Sequence, residues 1–212
     1  MAKQLSYELD PGEGAFLVGF ARGSIEAALG GGESPSLEDV SEKLRTDCGV
    51  FVTLNKFSGP THSLRGCIGF PYPVMPLVDA VSKAAVSAAL RDPRFQPVSL
   101  EEMGSVAVEV SVLTPPEKIV VQSPGEYPDH VRVGRDGLIV DRGSNRGLLL
   151  PQVAVDWGWS AEEFLTQCCI KAYLPPDSWL TPETEIFRFK AIIFAEEEPR
   201  GRVVRVELKD SC

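Results

Sequence analysis

Leu64-Arg65-Gly66-Cys67-Ile68-Gly69-Phe70 stands between a turn-forming segment and two prolines, and its neighbours on both sides set the fold. Upstream, Val50-Phe51-Val52-Thr53-Leu54 opens a β-branched, apolar run that reads as a strand. Residues Ser58 to Ser63 include Gly, Pro, Thr and His, the composition of a connecting turn, so Leu64 to Phe70 returns as the second strand of a hairpin. Pro71 and Pro73 stop that strand. Leu77, Val78, Val81, Ala84, Ala85 and Ala88 then recur at helical spacing until Asp92-Pro93 breaks the pattern.

Outward from this hairpin and helix, the same signals recur. Asp10-Pro11-Gly12-Glu13 is a helix start with an acidic N-cap, proline at the first position and Glu at the third, and Gly30-Gly31-Gly32 ends that helix. Ser36 is expected to cap a short amphipathic segment running to Leu44. Val106, Val108, Val110 and Val112 alternate with Ala107, Glu109, Ser111 and Leu113, which predicts a strand with one apolar face and one solvent-facing one. Asp136-Gly137 reads as a hairpin turn between Val131-Val133 and Leu138-Ile139-Val140, and Gly147 to Leu150 as a further short strand. Ser160-Ala161-Glu162-Glu163 is a capping box ahead of a helix bearing Phe164, Leu165, Cys168, Cys169 and Ala172, which Pro175-Pro176 closes. Ile186 to Ala195 and Val203 to Leu208 read as final strands. Helices scattered among hairpins make the class α+β with a mainly antiparallel sheet. Trp157 and Trp179 read as packing anchors.

Composition narrows the function classes. The 212 residues are 43% hydrophobic and 24% charged, the balance of a folded globular protein, with no repeat or linker cutting the chain in two. The 21 Lys and Arg face 30 Asp and Glu, and a net charge of −9 with interspersed cations argues against nucleic acid as partner. Glu196-Glu197-Glu198, the one block of like charge, reads as a solvated edge. The N-terminus lacks the apolar core of a signal peptide and no uncharged apolar run reaches spanning length, so no membrane association is expected. Five cysteines, two of them adjacent, read as reduced thiols and place the chain in the cytoplasm, with nothing against the nucleus.

Several separate segments, in order, resemble the AMMECR family: Phe51-Val52-Thr53-Leu54, Leu64-Arg65-Gly66-Cys67-Ile68-Gly69, Asp92-Pro93-Arg94-Phe95, Glu109 to Pro115 and Gly147 to Ala154, continued by Trp157, Phe164-Leu165, Lys171-Ala172, Leu174-Pro175 and Trp179. The resemblance runs from about Phe16 to about Glu196 and implies that residues 1–212 form one α+β unit of a larger and a smaller interleaved lobe. It also implies association, in some bacteria, with a MEMO-like domain and a radical-SAM protein, and it assigns no reaction. One departure is Tyr173, where the family commonly has Gly.

The candidate site is a cleft around the hexapeptide that binds or transforms a small molecule. Cys67 is its most reactive residue type, and a neighbouring Arg65 guanidinium would favour the thiolate; on a regular strand the two share a face, which equally suits an Arg stem packed beside a buried thiol. His62 and His130 are the imidazoles available as a base, and His62 is close in sequence but falls in the expected turn. Strand alternation makes Glu109 solvent-facing, whereas the resemblance draws Glu109 and Ser111 toward the site. Asp92 and Arg94 suit the turn that ends their helix, or a small anionic ligand. Gln152, beside Pro151 at a helix start, offers an amide to a bound polar group. Catalytic roles are expected of Cys67, Arg65 and Glu109, and ligand contacts of His62, Asp92, Arg94, Ser111 and Gln152. The sequence has no metal set, nucleotide loop, flavin fingerprint or hydrolase triad, so no cofactor is expected. A noncatalytic protein-interaction module, with the hexapeptide as a structural brace, is the alternative.

Overall fold

Strands and helices are interspersed along the chain, and the computed structural model describes residues 7–33, 35–37, 40–59 and 61–207. In chain order the elements are α1 (Pro11–Ala28), β1 (Gly49–Ser58), β2 (Thr61–Phe70), α2 (Leu77–Leu90), β3 (Val106–Leu113), β4 (Glu117–Lys118), α3 (Tyr127–His130), β5 (Asp136–Arg142), β6 (Asn145–Leu149), α4 (Pro151–Trp157), α5 (Ala161–Lys171), β7 (Glu185–Glu196) and β8 (Val203–Val206). Every strand ladder described is antiparallel, which makes the fold α+β. The described residues divide into two compact units, one within 7–113 with 192–206 and the other within 114–191 with Glu207. Strand β7 therefore gives its first part to the second unit and its last part to the first.

In the first unit the strands run β2-β1-β3-β7, with β8 paired to Ile193–Glu196 of β7. Val50, Val52 and Leu54 of β1 and Val106, Val108, Val110 and Val112 of β3 are buried with α1 and α2 in one core. The packing is close because α2 buries small side chains, Ala80, Ala84, Ala85, Ala88 and Ala89. Helix α1 begins at a complete capping box of Asp10 and Glu13. Its Arg22 is buried and donates from Nε to Glu196 Oε1 at 2.7 Å. Glu196 thus belongs to the interior, not to a solvated acidic edge: its charge is neutralised by Arg22, and its Oε2 also accepts from the Val108 backbone N–H at 2.9 Å.

In the second unit β4 and β5 both pair with Glu185–Lys190 of β7, and β6 pairs with β5. Helix α5, started by the Ser160–Glu163 capping box, buries Phe164, Leu165, Cys168 and Cys169 with Leu138, Val140 and Ile186. Burial raises the thiols of Cys168 to about 12 and Cys169 to about 11, and that of Cys48, in the first unit, to about 11. The described cysteines are free thiols, and Cys212 lies outside the described residues.

Several expectations change. The turn in the first hairpin is confined to the tip, so His62 lies on β2. The segment expected to run from Ser36 to Leu44 lies partly outside the described residues; within it a single 3-10 turn stands at Glu42–Arg45, entered from Ser41. Asp136-Gly137 opens β5 and is not its turn, because the buried Asp136 carboxylate holds the preceding loop; the bend comes at Gly134, with φ of 88°, and β5 makes its hairpin with β6. Strand β3 is more enclosed than its alternation predicts, since Ala107, Ser111 and Leu113 are buried as well as the valines and Glu109 is half-buried. Trp179 is buried and donates to Thr166 Oγ1, whereas Trp157 is 72% exposed and stacks on Trp159. Leu208, expected at the end of the last strand, lies outside the described residues.

Candidate functional site

A break in strand register divides the hexapeptide. Leu54 of β1 pairs with Gly66 and Asn55 pairs with Leu64, which leaves Arg65 as the extra residue of a β-bulge. The bulge overturns the expectation that Arg65 and Cys67 share a face. Arg65 turns to the helix side of the sheet, where its Nε and Nη2 grip Glu102 at 2.9 and 3.0 Å and its guanidinium lies 5.8 Å from the Phe95 ring centroid. Lys56 donates to the same carboxylate at 2.9 Å, and the two cations hold Glu102 down at about 2. Arg65 therefore braces Glu102, and its guanidinium lies on the opposite face of the sheet from the Cys67 thiol.

Cys67 resumes the regular register opposite Thr53, which is itself opposite Glu109 of β3. Residues opposite one another project to the same side, so a thiol, a hydroxyl and a carboxyl stand in one row on the face turned away from α1 and α2. The row spans two inter-strand steps, about 10 Å between its outer Cα atoms. Thr53 Oγ1 donates to Cys67 Sγ at 3.3 Å. Glu109 is half-buried, and burial raises its carboxyl above the usual range, while the Ser111 hydroxyl, at 3.5 Å, and the His62 charge pull it down. Cys67 is the one described cysteine that is not buried. His62 shares this face but stacks on Phe57, with ring centroids 5.5 Å apart, and no hydrogen bond joins it to Cys67 among the described residues. The Cys67–His62 pairing is thus not formed.

Asp92 and Arg94 act on the backbone of β2, the edge strand of its sheet. The Asp92 carboxylate is buried and accepts the outward-facing Cys67 N–H at 2.9 Å, while Arg94 Nη2 donates to the Cys67 carbonyl at 3.3 Å. The two side chains also bond each other through Nε and Nη2 of Arg94 at 2.9 and 2.7 Å. Arg94 lies 5.4 Å from the Phe95 centroid, so this one ring carries both guanidinium groups. Asp92-Pro93-Arg94-Phe95 is therefore a clip that satisfies an edge strand which would otherwise display unpaired groups. The Arg94 guanidinium holds the Asp92 carboxyl well below the usual range.

Gln152 belongs to the second unit, in the first turn of α4, and its Oε1 is buried with no hydrogen-bond partner among the described residues. The expected residues therefore divide into Cys67, Glu109, Ser111 and His62 on one sheet face, Asp92 and Arg94 on the strand edge, Arg65 on the opposite face, and Gln152 elsewhere. Sequence reasoning left out two residues. Thr53 stands in the sequence as part of a strand and of a segment shared with the family, and Glu102 as an exposed-looking acid ahead of β3; each acquires its place through cross-strand or long-range pairing. Among the described residues no three His, Cys, Asp or Glu side chains converge as metal ligands, and no helix is long and apolar enough to cross a membrane.

The chain is similar over most of its length to archaeal proteins. It is 52% identical to a protein of Methanocaldococcus jannaschii, over 92% of this chain and 96% of the relative, and 54% identical to one of Pyrococcus furiosus, over 95% and 97%. The crystal structure of an uncharacterized protein from Pyrococcus horikoshii superposes with a TM-score of 0.79 at 53% identity, covering 94% of this chain and 99% of the other. The AMMECR1 family model matches residues 18–194, from within α1 into the part of β7 that returns to the first unit, and the chain belongs to the AMMECR1 family.

Proposed function

We propose that the face of the first sheet bearing Cys67, Thr53 and Glu109 binds a small polar molecule and carries out thiol- and carboxyl-assisted chemistry on it. The observation behind this reading is Glu109: a half-buried carboxyl with a raised pKa and no ion-pair partner among the described residues, in one cross-strand row with the one described thiol that is not buried. A carboxyl raised in this way holds its proton to higher pH than an exposed one, and a substrate bridging about 10 Å could meet both ends of the row. Thr53 supplies a donor to sulfur, which favours a developing thiolate. Ser111 sets the carboxyl, and Asp92 and Arg94 fix the backbone that carries Cys67.

Cysteine-selective alkylation followed by peptide mass spectrometry tests the reading. Cys67 is expected to react far faster than Cys48, Cys168 and Cys169 in the native protein. Its rate-against-pH profile should carry a step from Glu109 ionisation that disappears in Glu109→Gln, and a deproteinised small-molecule extract should slow it. Reaction no faster than the buried thiols, with no response to Glu109→Gln, would sink the proposal.

A noncatalytic interaction module is supported by a different observation. Arg65, the Cys67 backbone and Gly66 are all engaged in bracing, which is what a structural hexapeptide requires. On that reading, association with a MEMO-like or radical-SAM protein would use another surface, and Cys67→Ser would leave it intact.

A further inference from the structure

We propose that the second unit carries a separate oxyanion site that takes the phosphate group of a small molecule. The inference does not rest on the Cys67 reading. It begins from a polar cavity of about 360 Å³ into which cations from two segments converge. The loop between α3 and β5 brings Arg132 and Arg135, and β7 brings Arg188 and Lys190, which two-residue spacing puts on one face of the strand. In a chain of net charge −9, four cations lining one hollow are a local reversal of sign.

The frame is built rather than incidental. Asp136, 1% exposed, accepts the Arg132 backbone N–H at 2.9 Å and both Nε and Nη2 of Arg135 at 2.7 Å, so one buried carboxylate fixes the loop that presents both arginines. Asp136 also pairs with Lys190 across the β5–β7 ladder, which ties the loop to the strand bearing the other two cations. Arg188 is steadied by the His130 carbonyl at 3.4 Å and the Glu117 carboxylate at 3.5 Å, both long contacts that leave donors unspent.

Donor direction then decides the ligand, in a wall whose cations outnumber its carboxylates. With Arg135 assigned to Asp136 and Arg188 to Glu117, Arg132 and Lys190 have no ion-pair partner among the described residues, and Asp129 is the remaining carboxylate of the wall. Donors arriving from a loop and a strand suit a tetrahedral dianion, which offers acceptors in several directions; a planar monocarboxylate is satisfied by one guanidinium fork. The volume leaves room beyond the phosphate for the remainder of a metabolite.

The test is calorimetric titration of inorganic phosphate into the full chain at low ionic strength, with acetate as the monoanion control. Saturable one-site binding is expected, weakened by added salt, and about tenfold or more weaker in Arg132→Ala/Lys190→Ala. Lys83→Ala, an exposed cation of the first unit, should bind phosphate as the parent does. The charge-preserving Arg132→Lys/Lys190→Arg should bind within a few-fold of the parent, which separates loss of charge from loss of fold. Absence of saturable phosphate binding, equal affinity for acetate, or undiminished binding by a folded double-alanine variant would overturn the site.

Discussion

Tyr173 shows at single-residue scale how a local sequence departure becomes a backbone cost. Helix α5 ends at Lys171 with Ala172 as its cap, and Tyr173 follows with φ of 58°, the left-handed position that helix ends normally give to Gly. The side chain is 92% exposed, so it recovers little by burial. Tyr173→Gly should therefore raise stability by about 0.5–1 kcal/mol, read as a higher midpoint in urea. Glu109 makes the opposite kind of sacrifice. Its raised carboxyl binds a proton more tightly folded than unfolded, so its contribution is fully present below about pH 4.3 and is lost as pH rises through the folded value. Glu109→Gln should then stabilise the protein more at pH 7 than at pH 4, in paired denaturation curves; a pH-independent effect would mean that Glu109 is not strained by burial.

At the scale of elements, the β2 edge and α2 are interlocked. A Cβ on Gly66 would drive into the Ala88 carbonyl oxygen, a backbone atom with no rotamer in which to yield. Gly66→Ala should cost about 1–3 kcal/mol, measured by chemical denaturation. The clip and brace on either side add a pH dependence. Asp92 and Glu102 both have depressed folded pKa values, held by Arg94 and by Arg65 with Lys56, so their stabilisation is complete above the ordinary carboxylate range near 4 and is lost as pH falls through the folded values, about 2 for Glu102. The denaturation midpoint should drop steeply between about pH 4 and pH 2, and Glu102→Gln should flatten that drop while lowering stability at pH 7.

At the scale of the whole molecule, the first unit cannot be closed by its own N-terminal half. Residues 192–206 return after the second unit to supply Ile192 and Phe194 to its core and Glu196 to Arg22. A fragment ending at Leu113 loses Ile192 and Phe194 from the core and Glu196 from Arg22, and should show no cooperative thermal transition by circular dichroism. In the full chain, Arg22→Ala should destabilise by about 3–5 kcal/mol, because a buried carboxylate loses its partner.

The sequence by itself determined the element types, since capping boxes at Asp10 and Ser160, the alanine periodicity of α2 and the valine alternation of β3 are local signals read at their own spacing. It also determined which segments carry the chemistry-bearing residues. It placed Glu196 on a solvated edge and Arg65 beside Cys67, and both placements failed for one reason: the deciding partner lies far along the chain. Arg22 is 174 residues from Glu196, and Glu102 is 37 from Arg65. Only the tertiary structure decided that Arg65 and Cys67 stand on opposite faces, because a one-residue bulge reverses side-chain direction and no composition rule locates it.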